Sequence, residues 1–201
     1  MIRVLLAEDQ TMVRGALAAL LRLEEDIEIV AEVARGDEVV PAALNAQPDV
    51  ALLDIEMPGG DGLSVAPALR EKLPACRIVI LTTFGRSGYL RRAMESGAVG
   101  FLLKDAPAGD LARAIRRVMK GERVVDPDLA LSALSEGENP LTGREREVLR
   151  IALEGVSIAD LAGRLFISEG TARNHLSTAI QKLRAQNRME AARLAEEKGW
   201  L

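Results

Sequence analysis

The sequence predicts a two-part chain, a doubly wound α/β half followed by an all-helical half. Three observations carry this. Short apolar runs alternate with amphipathic helical stretches through residues 1–120. Three of the runs, IRVLLA, VALLD and RIVILT, are almost continuously apolar, as strands covered on both faces are. After Pro140 the pattern turns wholly helical, and cap signals recur.

Strands are expected at residues 2–7, 28–33, 50–54, 77–82 and 100–104. Helices are expected at 11–23, 37–47, 63–72, 87–96 and 108–120. Strict strand–helix alternation implies a parallel sheet with helices on both faces. Five strands and five helices in about 120 residues is the flavodoxin-like size and pattern. Sites in such folds form beyond the carboxyl ends of the strands. Residues 121–140 lack long periodicity and read as a linker, with room for a short helix around 129–134. In residues 141–201, Thr142 with Glu145, Ser157 with Asp160 and Asn187 with Glu190 are cap-plus-acid pairs. Ser168 is a further cap, with Thr171 in the third place. The four helices they open are expected at about 143–154, 158–165, 169–185 and 188–198.

Composition narrows the function. With 48% hydrophobic and 28% charged residues the chain is an ordinary globular one with enough apolar material for a core. One cysteine, Cys76, excludes an internal disulfide and a four-cysteine zinc site. The single histidine, His175, has no second histidine to share a metal, and reads as structural. The opening apolar run is short and closed by acids, unlike a secretion signal. No apolar stretch approaches the ~18 residues of a membrane span, so a cytoplasmic protein without membrane contact is expected. The net charge of −4 is uneven: residues 141–201 carry 10 Lys/Arg against 8 Asp/Glu, so the acidic excess lies in the first half.

The chemistry gathers at the strand ends. Glu8-Asp9 follows the first strand, Asp54 ends the third, Thr82 the fourth and Lys104 the fifth. Parallel strands bring these ends to one edge. Singly, each has a bland reading: a solvated loop acid, a helix cap for the stretch from Thr11, a surface lysine. Together they form a site. Converging carboxylates repel one another and require a cation, and an all-oxygen donor set selects Mg2+. The ion would be held by one or both of Glu8 and Asp9, by Asp54, and by a backbone carbonyl such as that of Glu56. A carboxylate is also a nucleophile able to form an aspartyl-phosphate. The Lys104 ammonium and the ion would offset phosphoryl charge, and the Thr82 hydroxyl would donate a hydrogen bond to it.

These residues resemble the receiver domain of bacterial two-component response regulators. The resemblance rests on Glu8-Asp9, on Asp54 in Leu53-Asp54-Ile55-Glu56-Met57-Pro58-Gly59-Gly60-Asp61-Gly62, on Thr82 in Ile80-Leu81-Thr82-Thr83, and on Lys104 in Gly100-Phe101-Leu102-Leu103-Lys104. It implies that Asp54 accepts a phosphoryl group from a sensor histidine kinase, with Asp9 the direct Mg2+ ligand and Glu8 holding a water. It also implies that Phe101 is a switch aromatic moving with Thr82. A buried core residue on a strand is the competing reading of Phe101.

Residues 141–201 resemble the helix-turn-helix domain of the NarL/FixJ family, the LuxR type. The resemblance rests on Leu141-Thr142-Gly143-Arg144-Glu145-Arg146-Glu147-Val148-Leu149, on Ser157-Ile158-Ala159-Asp160-Leu161-Ala162 and on Ser168-Glu169-Gly170-Thr171-Ala172-Arg173-Asn174-His175. Ala172 departs from the family's usual valine, and Arg173 from its common lysine. In the third helix Ala172, Leu176, Ala179, Ile180 and Leu183 recur at helical spacing and face inward. Thr171, Arg173, Asn174, Ser177 and Gln181 then form the face toward double-stranded promoter DNA. Arg pairs with guanine and Asn with adenine. Lys182 and Arg184 on the flank suit phosphates. The stretches Ala7-Glu8-Asp9-Gln10, Asp54-Ile55-Glu56-Met57-Pro58-Gly59 and Leu81-Thr82-Thr83-Phe84 further resemble regulators of membrane fatty-acid desaturase genes.

The expected function is a phosphorylation-activated transcription factor, not an enzyme. A phosphatase of the haloacid-dehalogenase type would carry its nucleophile after the first strand in an Asp-x-Asp pattern, and would have no use for residues 141–201. A ligand-sensing regulator with the same DNA-binding end would not need the phosphoacceptor site. Phosphorylation is expected to drive homodimerisation through the first and fifth helices, or to release an inhibited DNA-binding domain. A weak self-contact is expected on the last helix, where Ala191, Ala192, Leu194 and Ala195 are small or apolar.

Overall fold

The computed structural model describes the 201 residues except 84, 86, 106, 128 and 132–138, and except the side chains of 87 and 108. The chain forms two compact units, the first drawn from Met1–Gly85 and Leu90–Leu131, the second including residues 139–201.

In the first unit six strands form one parallel sheet: β1 (Ile2–Ala7), β2 (Ile27–Val33), β3 (Val50–Leu53), β4 (Arg77–Thr82), β5 (Gly100–Leu103) and β6 (Val124–Val125). Their order is β2-β1-β3-β4-β5-β6. Helices α1 (Thr11–Arg22), α2 (Gly36–Ala46), α3 (Gly62–Lys72), α4 (Ser87–Glu95) and α5 (Ala108–Met119) follow the first five strands in turn. The apolar runs are the most enclosed parts of the sheet. Val4 to Ala7 and Val50 to Leu53 are buried throughout because helices cover both faces. On one face Val4, Leu6, Leu52 and Val79 pack with Ala18 and Leu21 of α1 and with Leu111, Ile115 and Val118 of α5. The order reverses at β1, with β2 on one side and β3 on the other, which opens a crevice at their carboxyl ends.

The sheet has one strand more than expected. β6 pairs with β5 through Gly100 with Val124 and Phe101 with Val125, inside the stretch read as linker. Two residues are too few to display a period-2 pattern, so only the finished edge of β5 makes them a strand. Residues 129–131 of the short helix expected there are helical; the rest of it lies outside the described residues.

The second unit comprises α6 (Gly143–Leu153), α7 (Ile158–Arg164), α8 (Glu169–Leu183) and α9 (Arg188–Glu197). Each begins on its expected cap. Thr142 and Glu145 form a complete capping box, Ser157 and Ser168 accept from the third backbone N–H beyond them, and Asn187 accepts from Met189 and Glu190. The core is rich in alanine. Ala152, Ala172, Ala179, Ala191, Ala192 and Ala195 are completely buried with Val148, Leu149 and Leu161. This corrects the expectation for α9: Ala191, Ala192 and Ala195 face α6 and α8 inside the unit and offer no surface to a second copy. Helical spacing places small residues on one face but cannot tell an inner face from an outer one. Trp200 and Leu201 complete the core. Among the described residues no helix is long and apolar enough to cross a membrane.

Candidate functional site

Backbone ladders carry the site residues to one edge. The Asp54 N–H donates to the Ala7 carbonyl at 2.9 Å, Glu8 N–H to Val33 at 3.0 Å and Lys104 N–H to Thr82 at 2.8 Å. These bonds extend the pairing one residue past the strands and align Glu8, Asp54, Thr82 and Lys104. All four are buried or nearly so. Lys104 Nζ lies 2.6 Å from Glu8 Oε2 and 2.8 Å from Asp54 Oδ2, as a bridging ion pair. Asp54 Oδ1 accepts from the Ile55 N–H at 2.8 Å. Asp9 stands at the rim, partly exposed, yet its Oδ1 is shielded from solvent and has no hydrogen-bond partner.

Burial pushes the Asp54 and Glu8 carboxyls above their ordinary range, with Lys104 pulling the other way. Burial also disfavours the Lys104 ammonium, but its bonds to Asp54 and Glu8 outweigh that and raise its pKa. Glu8, Asp9 and Asp54 each offer an oxygen within 4.8 Å of the others. Three carboxylates against one ammonium leave a two-charge negative excess. An oxygen-only donor set, an unpartnered shielded oxygen and that excess fit a hard divalent cation.

The Asp54 loop is shaped by glycines. A Cβ on Gly62 would meet the Asp54 carbonyl oxygen at 2.1 Å, and one on Gly36 the Gly60 carbonyl oxygen at 1.9 Å. The Gly62 N–H donates to Ile55 and the Gly36 N–H to Pro58, which draws residues 55–62 into a tight return. Asp61 then caps α3 by accepting from the Ser64 N–H. Glu56 stands on this loop with its residue exposed. Phe101 is completely enclosed on β5, opposite Ile80 in the register, while Thr82 pairs with Leu103.

Arg14 goes unnoticed in the sequence. Its Nη1 donates to the Glu8 carbonyl at 2.6 Å and reaches the Asp9 carbonyl at 3.4 Å, so α1 grips the acidic turn from below. The only signal available was a basic residue one turn into the helix after an acidic pair.

On α8, Thr171, Arg173, Asn174, Ser177 and Gln181 are exposed along one face, and Ala172, Leu176 and Ala179 are buried opposite. Arg173 pairs with Glu169 one turn back, on the surface. Lys182, expected on the DNA flank, has a partner within the unit. Its ammonium donates to both oxygens of Glu145, at 3.0 and 2.8 Å, and its side chain stays 32% exposed. Amphipathic spacing gives the side of a helix but not the acid on a neighbouring helix that claims a cation. His175 is partly buried between the two faces.

A doubly wound sheet with an acidic edge at its strand ends, joined to a capped helix-turn-helix unit, defines a response regulator with a DNA-binding domain. Residues 4–116 match the response regulator receiver domain, and residues 139–195 the bacterial regulatory proteins of the luxR family. The chain belongs to that family of two-component transcriptional regulators. It is 50% identical over 201 residues to the uncharacterized transcriptional regulatory protein YvfU of Bacillus subtilis, covering 100% of both chains. It is 46% identical over 200 residues to transcriptional regulatory protein DesR of the same species, covering 100% of this chain and 99% of that one. Among solved structures it resembles the response regulator ChrA of a heme-sensing two-component system, at 34% identity and a TM-score of 0.59 over 100% of this chain and 98% of that one. RcsB of Salmonella typhimurium, at 23% identity, shares the fold with a TM-score of 0.70 over 98% of this chain and 100% of that one. These relatives are regulators, not enzymes, and the phosphatase reading falls.

Proposed function

We propose that the chain is a cytoplasmic, phosphorylation-activated transcription factor, with a receiver that runs from residue 1 through β6 (Val124–Val125) and residues 141–201 as DNA-binding domain. The observation that carries it is the convergence of Glu8, Asp9 and Asp54 on the Lys104 ammonium. An Asp54 oxygen attacks the phosphorus of a phosphohistidine on a sensor kinase. The O–P bond forms as the P–N bond breaks, and the imidazole leaves with the electron pair. Asp9, Asp54 and the Glu56 carbonyl would hold Mg2+ directly, with Glu8 fixing a water. The ion supplies Lewis-acid neutralisation of phosphoryl charge. Lys104 turns from its two carboxylates toward the phosphoryl oxygens, and the Thr82 hydroxyl donates to another. Movement of Thr82 vacates space beside β4, and Phe101 follows it.

Phosphorylation then shifts a two-state equilibrium by its differential affinity for the two forms. The favoured form pairs receivers. α1 and its C-cap support this reading: Met12 is 88% exposed, Leu20 41% and the capping Leu23 80%, on a face otherwise of Gly15, Ala16 and Ala19. Contiguous exposed apolar surface of this kind marks an interaction site. Two copies of α8 then read half-sites one helical turn apart, with Arg173 and Asn174 on bases and Thr171, Ser177 and Gln181 beside them.

The test is labelling by a small acyl phosphate with Mg2+, followed by sedimentation. The parent takes one phosphoryl group and dimerises. Asp54→Asn keeps the fold and takes none. Equal labelling of the two proteins overturns the assignment of Asp54. A phosphorylated parent that stays monomeric yet binds DNA more tightly overturns the dimer.

A further inference from the structure

We propose that Glu145 and Lys182 form a clamp that sets the attitude of α8 on DNA, and that Lys182 is a positioning residue rather than a phosphate contact. The proposal rests on the reading of α8 as the DNA-facing helix.

Glu145 is 4% exposed, a charge taken almost wholly out of water. Its carboxylate has two sets of partners. The Thr142 N–H donates to it at 2.7 Å, where α6 begins, and Lys182 Nζ donates at 3.0 and 2.8 Å from the last turn of α8. One carboxylate therefore joins the start of one helix to the end of another, 37 positions apart in sequence. A buried ion pair is weak evidence for stability, but its geometry is narrow, and that suits registry between elements. A bulk hydrophobic contact lets a helix slide; two charge-assisted bonds to a fixed carboxylate do not.

The lever arm matters. Arg173 lies nine residues before Lys182, about 13 Å along the helix axis. Leu176 and Ala179 seat the middle of α8 in the core. Freeing the Lys182 end lets the helix rock on that seat, and the base-reading end moves oppositely. Displacement of about 1 Å there is enough to lose a bidentate base contact. Two of the three ammonium donors go to Glu145 and the side chain is 32% exposed, so the salt dependence of binding decides whether the third reaches a phosphate.

Full-length Lys182→Met, Lys182→Arg and the pair Glu145→Gln with Lys182→Met test this. Each is titrated, across a salt series, against a duplex enriched by the parent from a random-sequence pool and against a scrambled duplex. Trp200 fluorescence follows unfolding. The clamp expects Lys182→Met to weaken the enriched duplex roughly tenfold and the scrambled one little, with the slope of log K against log salt unchanged. Lys182→Arg restores the preference because its guanidinium keeps a charged donor for Glu145. If Lys182→Met does not fold, the paired variant, which leaves no orphaned charge, must show the same lost preference at unchanged slope. A slope lower by about one unit, with both duplexes weakened alike, makes Lys182 a phosphate contact and overturns the proposal. A lower unfolding midpoint with the preference intact makes the pair merely structural and overturns it too. A parent that enriches no duplex fails the DNA reading itself and removes the clamp's role with it.

Discussion

Replacing Lys104 with methionine isolates the electrostatics of the acidic edge. Methionine keeps most of the buried stem and removes the charge. The ammonium lies 2.6 Å from Glu8 and 2.8 Å from Asp54, with all three side chains under a tenth exposed. At an effective dielectric near 20, each contact is worth roughly 6 kcal/mol of gross attraction. Desolvation of the buried ions offsets several kcal/mol of that. Removing one partner of such a cluster leaves an uncompensated charge and costs about 3–5 kcal/mol. With a urea m-value near 2 kcal/mol/M, the midpoint of the receiver transition falls by roughly 2 M in EDTA. Mg2+ then separates this account from a packing defect. At a hundredfold excess over its dissociation constant a ligand stabilises by about 2.7 kcal/mol. The variant site carries one more uncompensated negative charge, binds the ion more tightly, and recovers more than the parent does. Circular dichroism in urea, with and without Mg2+, measures both gaps. Trp200, the single tryptophan, lies in the other unit's core and serves as internal reference. A variant as stable as the parent in EDTA, or a gap that Mg2+ leaves unchanged, refutes the reasoning.

Four further outcomes are expected. Gly62→Ala forces a Cβ to 2.1 Å from the Asp54 carbonyl oxygen, which is backbone and cannot swing away; it should destabilise by about 1–3 kcal/mol and depress acyl-phosphate labelling. Gly15→Ala places a Cβ in open space inside α1 and should stabilise by about 0.5–1 kcal/mol in urea titration. Arg173→Ala should lose roughly 1–3 kcal/mol on the enriched duplex and relax discrimination at one base pair, read by competition binding; its exposed pair with Glu169 adds little to stability. Burial works against ionised Glu145, yet bonds from Lys182 and Thr142 prevail and hold its carboxyl below the usual 4.5. The unfolded chain therefore takes up that proton first on acidification, so Glu145 adds stability above about pH 4.5 and loses it as pH falls through the lower folded value. Trp200 unfolding scans from roughly pH 6 to 3 should show a flatter acid limb in Glu145→Gln.

Fold and acidic edge were legible because their signals are local or repeated. Three almost continuously apolar runs announce a sheet buried on both faces, and parallel pairing alone then brings Glu8, Asp54, Thr82 and Lys104 together. The caps at Thr142, Ser157, Ser168 and Asn187 are each written within four residues. What escaped depends on contacts across distance. β6 exists only because β5 offers an edge. Arg14 acts on backbone carbonyls, which every residue has and no sequence marks. The Lys182–Glu145 pair spans two helices, and the outward reading of α9 failed because alanine is equally at home inside and out.

The alanine interior of the second unit has a consequence for how such a domain changes. Alanine has no rotamers to freeze, so those positions add no side-chain entropy cost to ordering the core. Where these alanines meet, α6, α8 and α9 leave little room for a larger side chain. Any larger residue at 152, 172, 179, 191, 192 or 195 should act as a wedge and tilt α8, the helix proposed to face DNA, as a whole. Variation can therefore follow two separate routes. Substitutions on the outer face of α8 retune one base at a time. A single added methyl group inside re-aims every contact together, and natural or laboratory drift in operator preference should accumulate on the first route while the interior stays small.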